Sequence, residues 1–164
     1  MKYWTRVKNW LPAIVWAGLI SFLSTDVFSS DHTSVFIIPV LHRLIPQASA
    51  ETLELMHAII RKTAHFAEYF IFSIFILHGL RGKNSGWKLR WAIWAAVLAA
   101  GYAGLDEFHQ SFVPSRTASP WDALLDTAGA SAGQIFLWLW HMARVRPAGS
   151  KTITSPDSHA GSAE

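Results

Sequence analysis

The chain contains no cysteine. That excludes a disulfide framework and thiolate metal sites, and it leaves the redox compartment open. Charge is also scarce: 15% of the 164 residues are charged while 51% are hydrophobic, with nine Trp and ten Phe. In a chain of single-domain length, that composition points away from a soluble domain and toward a membrane. Glycine and proline are missing from Ala50 to His78, so one long helix can run through that stretch. Long apolar runs are short of full length as well. Of four candidate membrane helices, near 10–25, 63–80, 90–105 and 123–142, only the last reaches the ~20 residues that a crossing wants. The fifteen-residue run Trp91–Leu105 covers about 22 Å at ~1.5 Å per residue. The shortfall pulls the polar ends of these helices to membrane depth or its edge.

What is present suggests an all-α polytopic membrane protein, with four transmembrane helices in a compact bundle over residues 1–146. A tail from 147 to 164, rich in Ser, Gly, Ala and Thr, is expected to be disordered and cytoplasmic. Ten of the fourteen Lys and Arg fall at the N-terminus, in the 81–90 loop and in the tail. Nine of the eleven acids fall on the opposite side. Basic residues mark the cytoplasmic side, so both termini are expected inside, in a bacterial inner membrane. The basic balance is then topological and implies no nucleic-acid partner. Lys2–Lys8 followed by Leu11–Leu23 also has the make-up of a secretory signal, but Ser24-Thr25-Asp26-Val27 is not a convincing small-x-small cleavage site. The segment is expected to stay as a helix.

The linker 26–50 carries an apolar patch at 35–45, broken by Pro39, which is too short to span and suits an interfacial or re-entrant segment. Residues 51–62 look amphipathic and are expected above the surface. Pro12 fits the first turn of the first helix. Ala96, Ala100 and Gly104 recur every fourth residue, and Gly129 and Gly133 repeat the spacing. Small-xxx-small faces allow close helix approach, so the third and fourth spans are expected to cross tightly and draw Asp106 toward Asp126. Trp10, Trp91, Trp94, Trp138 and Trp140 fall toward the inner end as an aromatic belt.

The strongest feature is polar. Lys62, His65 and Glu68 open one apolar run, Asp106, Glu107, His109 and Gln110 close another, and Asp122 and Asp126 open a third. Charge inside lipid costs at least ~2.5–3.5 kcal/mol per group, so such residues usually face the protein interior and mark function. If the third helix continues past Leu105, Asp106 and His109 share a face, as do Glu107 and Gln110 one position around. Ser119 is a good N-cap and Pro120 fits the first position of a helix, which sets Asp122 and Asp126 one turn apart. The expected site is a mouth at the outer leaflet lined by His65, Glu68, Asp106, Glu107, His109, Asp122 and Asp126. Lys62 and Arg116 supply cations, with Gln110 and Tyr69 as polar support.

These residues also carry a resemblance. Lys62 with His65-Phe66-Ala67-Glu68-Tyr69, the block Asp106-Glu107-Phe108-His109-Gln110-Ser111-Phe112-Val113-Pro114-Ser115-Arg116, then Asp122, Asp126, Gly129 and Gly133, resemble the VanZ-like family of small membrane proteins over about residues 58–135. Family members often have Gly before the Arg and Asn near position 126, where this chain has Ser115 and Asp126. The resemblance implies an envelope protein, some of whose relatives are linked to resistance to the glycopeptide teicoplanin.

Four functions suit the residues. A histidine between carboxylates can serve as a general base on a lipid or cell-wall precursor, with Arg116 and Lys62 holding its phosphate. His65, Glu68, Asp106 and His109 are suitable ligand types for a divalent metal, although no complete ligand motif is present. A proton relay is a third use, but the polar residues stop at one face. The fourth is a non-catalytic docking surface for an envelope ligand or partner. Against all four stands a plain ion-pair lattice joining the helix ends. Replacing His109 by Gln is expected to stop chemistry while partly sparing docking.

Overall fold

The computed structural model describes residues 2–113 and 119–145, with side chains from Val7 onward. Five helices follow one another: α1 (Lys2–Leu23), α2 (Ser30–Leu44), α3 (Ala50–Arg81), α4 (Leu89–Gln110) and α5 (Pro120–Val145), with a single 3-10 turn at Asp26–Phe28. No strand occurs among the described residues. The chain is all-α, as composition and apolar patterning suggested. Arg116 and the tail 147–164 lie outside the described residues.

Local chemistry sets the helix limits. The Ser49 hydroxyl accepts the Thr52 N–H at 3.2 Å and starts α3. Gly82, at φ 60°, closes it with its N–H on the His78 carbonyl; that left-handed backbone favours glycine. In between, α3 has no proline and its one glycine, Gly79, lies in the last turn, so the amphipathic 51–62 stretch and the 63–80 run form one helix. α5 starts at Pro120 directly after Ser119, as expected, and the Ser119 carbonyl accepts from the Asp122 and Ala123 N–H groups. The patch at 35–45 is regular helix: α2 runs through Pro39.

Directions follow from pairings across the bundle. α3 and α5 run parallel, because Lys62 meets Asp122, and the Ser73 hydroxyl meets the Ala130 carbonyl at 2.8 Å. Gln134 returns a bond to the Ser73 carbonyl at 2.9 Å. α1 runs antiparallel to α3, with Trp10 on Gly79 and the Trp16 indole N–H on the Glu68 carbonyl at 2.9 Å. α4 runs parallel to α1: the Tyr102 hydroxyl donates to the Ala17 carbonyl and pairs with Ser21. α2 packs on the early turns of α3, where Thr33 meets His57 at 3.1 Å.

The close helix approach differs from expectation. Gly129 and Gly133 seat on α3: an added Cβ at Gly129 would strike the Phe66 carbonyl, and one at Gly133 would lie 2.6 Å from that of Phe70. Gly104 has nothing within 4 Å. The buried small stripe of α4 is instead Ala92, Ala95, Ala99 and Ala103. Glycines let helix backbones meet without naming the partner, and here the partner is the parallel α3.

One helix, α3, is by itself long and apolar enough to cross a membrane, and 33% of its most apolar window is buried inside the protein. Val7–Leu23 together with Asp26–Leu44 passes the same test as a pair bent by 71°. With 32 residues, α3 is about 48 Å long at ~1.5 Å per residue. That exceeds the ~30 Å hydrocarbon core, so its first three turns extend past the apolar run.

Candidate functional site

The pairings place the end of α1, the upper half of α3, the end of α4 and the start of α5 at one end of the bundle. Asp106, Gln110 and Asp126 are buried there, and Glu107 and Asp122 are half-buried. A 7% exposed carboxylate such as Asp106 needs donors. It receives the Ser24 hydroxyl at 2.6 Å and the Gln110 amide at 2.8 Å on the same oxygen. Gln110 thus pairs with Asp106, one helical turn earlier, and the two close a triad with Ser24. Nothing in the apolar pattern of α1 marks Ser24. The available signal is its position, where the first apolar run ends at the level of Asp106.

Glu107 turns the other way. Its carboxylate accepts the Ser119 N–H at 2.7 Å and ties the end of α4 to the start of α5. A negative charge is well placed there, beside the positive end of the α5 dipole. Lys62 donates to Asp122 at 2.6 Å, with 59% and 31% of the side chains exposed. Exposed pairs of that kind contribute ~0–1 kcal/mol, so Lys62 can give up Asp122 for a stronger anion at small cost.

At the centre, the His65 ring and the Asp126 carboxylate of α5 stand 3.8 Å apart, and Asp126 is 2% exposed. Glu68, Asp106, Glu107 and Asp122 are the other carboxylates at this end of α3, α4 and α5. Tyr69 is wholly buried, with its ring edge-on to Phe72. Burial excludes an interfacial anchoring role for Tyr69. Its hydroxyl and one Asp126 oxygen are buried with no hydrogen-bond partner among the described residues. Buried polar atoms of that kind are rare and call for an explanation.

His109 sits apart. It is exposed and borders a cleft of about 270 Å³ lined by Ser21, Tyr102, Leu105 and Asp106, between α1 and α4. It therefore shares a face with Asp106, as the helical spacing required, but not with His65 and Asp126. Among the described residues, no group of three His, Asp or Glu is arranged to hold a metal. His65, Glu68, Asp106 and His109 consequently do not form a ligand set: Asp106 is engaged by Ser24 and Gln110, and His109 faces the other cleft.

The family model VanZ/LLP1 matches residues 9–141. The chain belongs to the VanZ-like family. The match extends well beyond residues 58–135 and takes in α1 and α2. In this VanZ-like protein, Ser24, just past the end of α1, supplies a donor to Asp106. No curated protein and no solved structure matches the chain.

Proposed function

We propose that this VanZ-like protein is a four-crossing protein of the bacterial inner membrane, with both termini cytoplasmic. Its outward end would bind the anionic group of a lipid-linked envelope molecule. The observation that carries this is Lys62, exposed at the polar end of α3 in a surface pair with Asp122, where His65, Glu68, Asp106, Glu107 and Asp126 also gather from α3, α4 and α5. Support for four crossings comes from the alternating directions of α1, α3, α4 and α5 and from large apolar side chains exposed along them, among them Val15, Leu19, Val97, Leu98, Ile135 and Leu139. Water would not tolerate so continuous an apolar shell.

Lys62 and Arg116 are the cations assigned to the anion. Lys62 is available because its pair with Asp122 is weak; Arg116 belongs to the motif that the family shares. The acidic groups behind them are largely engaged within the bundle, which favours recognition over turnover. The exception is the His65–Asp126 pair, with the Tyr69 hydroxyl beside it, and that pair is the candidate for proton transfer. Protection against a teicoplanin-type glycopeptide would follow if the bound molecule were a wall precursor.

The test is binding of a photoactivatable polyprenyl phosphate to the detergent-purified protein. Replacing Lys62 and Arg116 together by Gln should weaken capture by tenfold or more, since each charge-assisted contact is worth ~1.5–3 kcal/mol. Equal capture by parent and variant would sink the proposal.

A further inference from the structure

The opposite end of the bundle holds a second site. Arg81 at the end of α3, Trp87 in the 82–88 loop, and Trp140, His141 and Arg144 on α5 surround a cavity of about 220 Å³. By the same measure a single water needs only ~10–15 Å³. The Arg81 Nε and Trp87 Nε1 atoms are buried, and neither has a hydrogen-bond partner among the described residues. Both are N–H donors without acceptor capacity. The Arg144 guanidinium stacks 4.4 Å from the Trp140 ring, which holds its charge at the rim. Gly86, at φ 84°, brings the loop against His141.

The charge at this end is one-sided. Every described carboxylate belongs to the other end or to the segments leading to it, whereas Lys8, Arg81, Lys83, Lys88, Arg90 and Arg144 gather here. No acid among the described residues can satisfy these donors. Orphan donors beneath cations that no described acid neutralises select a ligand that is anionic and rich in acceptors.

Trp87 also borders a second hollow. An apolar groove of about 450 Å³ runs from Trp87 and Leu89 past Ile93 and Ala96 of α4, against Ile135 and Trp138 of α5. It leads from the basic end toward the middle of the bundle. Cationic cavity and apolar groove share one wall.

We propose that the two hollows form a binding site for an anionic phospholipid, its phosphate in the Arg81–Trp87–Arg144 cavity and an acyl chain in the α4–α5 groove. The site requires a membrane but does not depend on the ligand of the outer pocket. Basic pockets between membrane helices on the cytoplasmic side hold anionic headgroups by the same physics. The groove distinguishes a lipid from free phosphate, because only a lipid fills both hollows.

Native mass spectrometry of the detergent-purified protein, with equimolar phosphatidylglycerol and phosphatidylcholine, tests the site. The parent should retain phosphatidylglycerol preferentially. In R81Q/R144Q the preference should fall by about thirtyfold, the effect of removing two charges near the surface. In R43Q, on α2 and away from both hollows, it should persist. W87F keeps the ring but deletes the donor, and should weaken retention even if the double variant does not fold. A96F should lower retention by blocking the groove. No preference in the parent would overturn the assignment, as would W87F and A96F both binding like the parent. Displacement by millimolar inorganic phosphate with no effect of A96F would overturn the lipid assignment in favour of a phosphate site.

Discussion

The Ser24 hydroxyl and the Asp106 carboxylate, 82 residues apart in the chain, meet at 2.6 Å inside the bundle. The bond fixes the end of α1 against the polar end of α4 and makes burial of Asp106 tolerable. Ser24→Ala leaves that carboxylate with Gln110 alone. A hydrogen bond to a charged group is worth ~1.5–3 kcal/mol, so unfolding in detergent should shift by about that much. Ser24→Thr keeps the hydroxyl and should recover most of it. A Ser24→Ala protein as stable as the parent would show that the bond carries no weight.

Gly129→Ala should separate α3 from α5. The new methyl would strike the Phe66 carbonyl, and backbone on both sides cannot give way. Overpacking costs ~1–3 kcal/mol or more, which a thermal melt would register. Gly104→Ala is the control, with nothing within 4 Å of the added carbon. It should stabilise α4 by up to ~1 kcal/mol, because alanine is the better helix former.

Those two glycines show what the sequence carried and what it left open. The polar ends of three apolar segments, the unbroken stretch from Ala50 and the Ser119-Pro120 start were legible, because capping and periodicity are local. The partner of Gly129 and Gly133 was not, since close approach is a property of two helices and the spacing lies on one. On α4 the residues that pack sit one register around from Ala96, Ala100 and Gly104, and in so uniformly apolar a helix the pattern distinguishes no face. Ser24 was missed for a related reason: one hydroxyl at the end of an apolar run acquires meaning only once Asp106 lies opposite.

Lys62→Gln should change stability by no more than ~1 kcal/mol, because its pair with Asp122 is largely exposed. Binding of a polyprenyl phosphate should suffer more than folding. Equal losses in a melt and in a capture assay would make Lys62 a strut rather than an anion contact.

Docking of α2 on α3 should depend on pH. His57 lies in the turns of α3 that extend past the apolar run, and is buried against Thr33. Burial first, and the neighbouring Arg61 second, lower its pKa from 6.5. The folded state thus favours neutral imidazole. Stability from this contact is complete above 6.5 and declines as pH falls toward the lowered folded value. Hydrogen exchange across residues 30–44 should quicken on acidification from neutral pH, and His57→Gln should flatten that dependence. An unchanged profile in the variant would assign the effect elsewhere.

His65→Gln and His109→Gln separate two candidate sites. His65 stands 3.8 Å from Asp126 in the buried cluster, whereas His109 is exposed on the α1–α4 cleft. A histidine base is oriented by a hydrogen-bond partner, often a carboxylate, and must lie within reach of the bound group. His65 approaches the first condition, with its ring 3.8 Å from Asp126, beyond hydrogen-bond length. His109 lies beside Asp106, whose bonded oxygen is already shared between Ser24 and Gln110. His65→Gln and Asp126→Asn should therefore abolish any turnover of a phosphate probe, while His109→Gln stays close to the parent. The reverse result would move the working site to the cleft and leave His65 and Asp126 holding α3 and α5 together.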